Sequence, residues 1–244
     1  MQASLLLSLS LAALTSAPAL AGDQPPVRIG MNEDRLLAPP MEEALRRAYA
    51  ALGRQVQFEA LPLRRTILGL QSGELDADHL RVLPYFEQNP FMQKVDVPVL
   101  TMYVWAFSKP PCGKAVSIDA LVQAQASYQR GAMVIENWLP PAARQPVNHP
   151  RELRRSVVEG VSRYALVLST PGMLPFTSAR DLAGLCHAEQ PVLAVPLFHA
   201  VHERHADWVP QLRRVLGQMR DRGELRAIWE RYESGLLAAK PGKR

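Results

Sequence analysis

The stretch VDVPVLTMYVWAFSK, Val95–Lys109, sets the architecture. It is extended and apolar, well beyond the roughly five or six residues of an ordinary strand, and Pro98 sits inside it. Proline removes a ladder hydrogen bond, so this run reads as a strand crossing between two units rather than a central strand of one sheet. PVLAVPLF, Pro191–Phe198, is a second extended run of the same kind. The two crossings, near 97–107 and 191–198, bracket a middle unit. Two units tied by two strands leave a cleft that can close on a small molecule by hinge motion.

Outward from the crossings, both units follow one rhythm. VRIGM from Val27 reads as a short buried strand. MEEALRRAYAALG places Met41, Ala44, Leu45, Ala48 and Leu52 on one helical stripe, with acids in its first turn and Gly53 at its end. QVQFEAL alternates as a strand does, and PLRRTILGLQSG is a helix closed by Gly73. In the middle unit Ser117 caps a helix through Gln125, ASYQR is a strand, and GAMVIENWL starts a helix at Gly131. Pro150 then opens RELRRSVVEG, Tyr164–Ser169 is strand-like, and Ser178 caps ARDLAGLC. The tail holds two amphipathic helices, DWVPQLRRVLGQMRDRG and ELRAIWERYESGLL. Alternation of strand and helix predicts an α/β fold with helix-covered, mostly parallel sheets. The lobes expected are 22–107 with 197–244, and 108–196.

The chain opens with an uncharged apolar run through Leu14, which breaks at Ser16 and Pro18 and closes on Ala19-Leu20-Ala21. That pattern reads as a secretory signal over 1–21, although its n-region has no Lys or Arg. The run is shorter than the roughly 20 residues of a membrane span, and no cysteine follows the cut to carry a lipid. A periplasmic location is the expectation. Cys112 and Cys186 are expected to bridge in that oxidising compartment, since their spacing matches no metal motif. The formal net charge is +5, but the arginines are spread among glutamates and aromatics are few. This argues for a solvated surface and against a nucleic-acid partner.

Charge concentrates in GELDADHLR, Gly73–Arg81. Ligands of parallel sheets bind outside the strands' carboxyl ends, which makes 30–40 and 76–84 the candidate ligand loops. Asn32 and Glu33 fall in the first, Asp78, His79 and Arg81 in the second. A guanidinium offers a planar fork matched to a carboxylate, so Arg81 is the leading candidate; pairing with Asp76 or Asp78 at a surface turn is the alternative. Asp78 is a candidate contact, and His79 reads as support or solvated. Gly131 and Ala132 open a helix, so their N–H groups are candidate anion donors with Arg130 beside them; an ordinary turn is the alternative. His199, His202 and His205 recur every three residues, but on a helix the third drifts off the shared face, and no cysteine or acid completes a zinc site. No nucleophile elbow, H-E-x-x-H or phosphate loop is present, so neither catalysis nor a cofactor is expected.

GLQSGELDAD, an arginine soon after it, a long strand ending AFSK, and VPLFHAVHERHADWVPQLRRVLGQMRDRGELRAIWERY follow one another in an order that resembles the extracellular solute-binding proteins of family 3. These are type II periplasmic binding proteins. The likeness runs from about Val27 to Tyr232 and is nearest to shorter, divergent members in which P-x-x-R (Pro62, Arg65) precedes G-E-x-D (Gly73, Glu74, Asp76). The resemblance implies a monomer without a cofactor. It also implies a small-molecule ligand between the lobes, Arg81 on a ligand carboxylate, and a membrane permease of an ABC transporter as partner. It differs in the middle lobe: where an acid for a ligand ammonium is usual, GVSRYALV carries Arg163. A polar, anionic or amino-acid-like ligand is expected. A sensing module for a membrane receptor is the alternative reading, and an enzyme on the same fold a further one.

Overall fold

A computed structural model describes residues 25–32, 38–169 and 182–238. The expected signal segment, Glu33 and the expected cap at Ser178 lie outside them. In the first lobe β1 (Val27–Asn32) pairs in parallel with β2 (Val56–Leu61) on one side and β3 (Ala77–Arg81) on the other. Helices α1 (Ala38–Ala50) and α2 (Leu63–Gln71) connect these strands, and α3 (Leu83–Gln88) follows β3. β4 (Met92–Ser108) then crosses to the second lobe as one 17-residue strand. There α4 (Ile118–Ala124), β5 (Ala126–Gln129), α5 (Met133–Trp138), β6 (Arg144–Val147), α6 (Arg151–Val158), β7 (Tyr164–Ser169) and β8 (Cys186–His187) follow in order. β9 (Leu193–His202) returns to the first lobe, which α7 (Trp208–Asp221) and α8 (Glu224–Ala238) complete.

The strand order is β2-β1-β3-β9-β4-β7-β5-β6, with β8 on β4. β5 pairs in parallel with β6 and β7, whereas β9 runs antiparallel to both β3 and β4. Pro98 stands opposite Phe198, and the β4–β9 register shifts on both sides of it. The proline therefore occupies an irregularity, where its missing donor costs no regular ladder bond. Side chains of β4 through Met102 join the first lobe's core, with Ile29, Leu45, Trp208 and Leu212, while Val104 and Ala106 join the second's, with Leu121, Ile135 and Leu166. One strand is thus shared by two cores.

Four details differ from the sequence reading. Helix α1 begins at Ala38, because Pro39 and Pro40 are tolerated in a first turn that needs no N–H. Glu42 and Glu43 therefore fall one turn in, each set against the arginine four residues on. ADHLR is strand β3, buried from Ala77 through Leu80, rather than part of a loop. HAVH continues β9 instead of starting a helix, with His202 paired opposite Met92. Leu182–Leu185 make a turn into β8, so the helix read through ARDLAGLC is absent from its described part.

The charges of GELDADHLR divide by depth. Gly73 has φ +75, and Arg204 approaches so closely that it donates to the Gly73 carbonyl at 2.7 Å, leaving no room for a side chain. Asp76 accepts from the Arg28 N–H at 2.8 Å, from Arg204 and from His205 at 2.8 Å, joining β1, β3 and the turn after β9. Burial works to raise its pKa, but those donors outweigh it and hold the carboxyl below its usual range. Arg65 reaches Glu74 at 2.9 Å, so P-x-x-R and G-E-x-D meet as a surface ion pair.

Cys112 and Cys186 form a disulfide, with S–S 2.09 Å and Cα–Cα 5.9 Å across a sequence separation of 74. It anchors β8, which pairs only through Phe107–His187 and Ser108–Cys186, to the end of β4. Loop-closure entropy for that span is worth about 4 kcal/mol. Reduction should lower the thermal midpoint by about 10 °C at this chain size; an unchanged midpoint in a scan with and without dithiothreitol would contradict the staple role.

Candidate ligand-binding cleft

A cavity of about 830 Å³ opens between the lobes. The first lobe contributes His79, Leu80, Arg81, Val82, Pro84 and Tyr85 from the end of β3 and the start of α3. The second contributes Gln129–Ile135 and Asn137, with Pro150, Leu153 and Leu166–Leu168 behind them. Met102 of β4 and Leu197 of β9 reach it from the crossing strands. Leu83 beside it and Met133 on its far wall are exposed apolar side chains, 45 % and 59 %. Hinge closure would cover such residues.

Arg81 is fixed before any ligand arrives. Its Nη2 lies 2.7 Å from Asp78 Oδ2, its Nη1 donates to the Leu80 carbonyl at 3.0 Å, and its guanidinium lies 5.0 Å from the Tyr85 ring centre. Tyr85 Oη donates to the same Asp78 oxygen at 3.2 Å, and His79 Nδ1 lies 3.5 Å from the other. Asp78 has no exposed side-chain surface, and Arg81 keeps 11 %. Arg81 Nε, buried, finds no acceptor in the protein. An unpaired buried donor costs about 1–3 kcal/mol. Burial, with the Asp78 charge nearby, raises the Tyr85 pKa and keeps that hydroxyl a donor.

The expected site residues separate into groups. Arg81, Arg130, Gly131 and Ala132 line one cavity. Asp78 does not; it is fully buried behind Arg81, on an interior strand whose register with β9 shifts between Asp78 and Arg81. The Gly131 N–H donates to Glu136 Oε1 at 2.9 Å and the Ala132 N–H to the Gln129 carbonyl at 3.1 Å, so neither expected backbone donor is free. Asn32 ends β1 in register with Leu61, and Glu33 is outside the described residues. Tyr85, Met102 and Leu197 are lining residues that the sequence did not single out, and His79, read as support or solvated, lines the cavity as well. Tyr85 carried a usable signal: it stands four residues after Arg81, behind a proline that starts a helix.

No protein-family model matches the chain, and no curated protein matches it in sequence. Solved structures do. A histidine kinase sensor domain with similarity to periplasmic binding proteins superposes with TM-score 0.59 at 18% identity, over 85% of this chain and 95% of its own. The GLUR0 ligand-binding core in complex with L-glutamate gives 0.63 at 12%, over 86% and 99%. The probable amino-acid ABC transporter extracellular-binding protein YtmK from Bacillus subtilis gives 0.60 at 12%, over 84% and 97%. This is the type II periplasmic-binding-protein fold. In that fold the space between the lobes is the place where hinge closure encloses a ligand. No described helix is long and apolar enough to cross a membrane.

Behind the cleft His199 of β9 is fully buried, with Nε2 2.9 Å from Tyr49 Oη. His202 accepts from the Arg204 N–H and His205 stacks on Trp208 at 3.8 Å, so the three histidines do separate work. Desolvation pushes the His199 pKa down to about 4. An unfolded chain takes up this proton near pH 6.5, whereas the folded chain refuses it until about 4. The stability due to neutral His199 is therefore complete above 6.5 and lost as pH falls towards 4, on the order of 3 kcal/mol in all. Urea unfolding at pH 7.5 and 4.5 should show this loss, and His199→Gln should flatten it; an equally steep loss in the variant would contradict the assignment.

Proposed function

We propose that the chain is a periplasmic solute-binding protein that captures a small polar, anionic or amino-acid-like ligand in the interlobe cleft for an ABC-type transporter. One observation carries this reading: Arg81 stands at the interlobe cavity in a fixed pose, held from behind by a buried Asp78. A rigid cationic fork at a hinge-bounded cavity suits capture of a carboxylate. The reading is of binding without turnover, which the binding-protein role of a structural neighbour supports. Amino-acid binding by the structural neighbours supports the ligand class, and the B. subtilis neighbour's transporter role supports the permease as partner. The reading takes 1–21 as the export signal, 22–107 with 197–244 as one lobe, and 108–196 as the other. Asn32 and Glu33 are proposed to complete the first lobe's wall. A second reading, a sensing module of a membrane receptor, is favoured by the likeness to a histidine kinase sensor domain. Both readings share the cleft.

Residues 22–244 should be screened by thermal shift against amino acids and organic acids. A ligand at about a hundred times its dissociation constant adds roughly 2.7 kcal/mol, a rise of about 5–11 °C at this size. Arg81→Ala would strand the Asp78 charge at a cost of about 3–5 kcal/mol, so Arg81→Lys is the cleaner variant. It keeps a cation beside Asp78 but removes the fork, and should weaken binding by about tenfold or more with its unliganded midpoint little changed. An undiminished ligand shift in Arg81→Lys, or no shift from any compound in wild type, would contradict the reading.

A further inference from the structure

Resting on that reading, we propose that the ligand is an organic dianion with an apolar middle, one acid group held by Arg81 and the other by Arg130. The two arginines come from opposite lobes, at the end of β3 and just after β5, and line the same cavity. Arg130 is exposed; its Nε donates to Asn148 Oδ1 at 3.1 Å, and no described carboxylate lies within ion-pair distance of it. The nearby Glu136 accepts the Gly131 N–H and does not line the cavity. Arg130 therefore brings uncompensated charge to the second lobe's wall, and Arg81 lines the same cavity from the first.

Much of the remaining lining is apolar. Leu80, Met102, Leu166, Leu168 and Leu197 contribute to it beside the polar His79, Gln88, Gln129 and Asn137, and among the described residues no Asp or Glu does. Asp78 has no exposed surface, and its Oδ2 is engaged by Arg81 and Tyr85. A dicarboxylate needs two cations and an apolar span, and the described lining supplies both. One cation on each lobe also couples binding to closure, because only the closed cleft satisfies both ends.

Titration calorimetry of the purified protein with adipate, hexanoate and L-norleucine tests this. The three share a six-carbon backbone and differ in their end groups. Adipate should bind at least about tenfold tighter than either competitor. Arg130→Gln should remove most of that advantage. Since Arg130 is exposed and pairs with no described acid, the variant is expected to fold, which its unliganded midpoint checks. L-norleucine or hexanoate binding as tightly as adipate, or adipate binding unaltered in Arg130→Gln, would overturn the dianion assignment. Binding of amino acids but not of glutarate, adipate or pimelate would overturn it too, while leaving the solute-binding reading intact. Silence from every compound in the wider screen would overturn both.

Discussion

The antiparallel ladder between β4 and β9 runs from Met92 opposite His202 to Val104 opposite Leu193, and both lobes are built onto it. At one end its side chains enter the core that α1, α7 and α8 cover; at the other, β4 adds β7 and β8 to its edge. Because one hydrogen-bonded pair serves both cores, neither lobe can drift freely. The irregularity at Pro98 lies inside the first lobe's core, and β4 passes from that core to the second between Met102 and Val104. Met102, at that passage, lines the cavity with Leu197 of β9, so the shared ladder also touches what closure would enclose.

The chemistry of the site follows from the depth of β3. A strand between β1 and β9 is covered on both faces, yet this one carries Asp78, His79 and Arg81. Charges so placed are tolerated only when paired, because desolvation of each ion costs several kcal/mol. Asp78 and Arg81 meet that demand together, Tyr85 adds a hydrogen bond, and neutral His199 lies close behind. The arrangement is costly as scaffolding and useful as preorganisation: an arginine held in one pose loses less conformational entropy when a ligand arrives.

Much of this architecture was legible in the sequence because it rests on long periodic segments. The crossing strand announced itself by length and by Pro98, and the stripes of α1, α7 and α8 by their spacing. The shared cavity of Arg81 and Arg130 followed from placing ligand loops after strands. What escaped was short or contrary to pattern. β6 has four half-buried residues including Pro146, and α3 has six, too few to display a period. DADHLR read as a turn because polar residues mark exposed chain, whereas pairing with Arg81 allows Asp78 inside. HAVH read as helix because its histidines recur every three residues, while the ladder to β4 makes it strand. Backbone donors at Gly131 and Ala132 looked available until Glu136 and Gln129 were seen to engage them. Long-range pairings of this kind leave no local trace.

The central claim is that ligand sits between the lobes and touches both. Amide-resolved NMR titration with whichever small acid or amino acid stabilises the protein most tests it directly. The account predicts coupled shifts at Leu80–Tyr85 in the first lobe and Gln129–Asn137 in the second, together with the crossing residues Met102–Val104. Shifts confined to one lobe, or lying away from these segments, would contradict it.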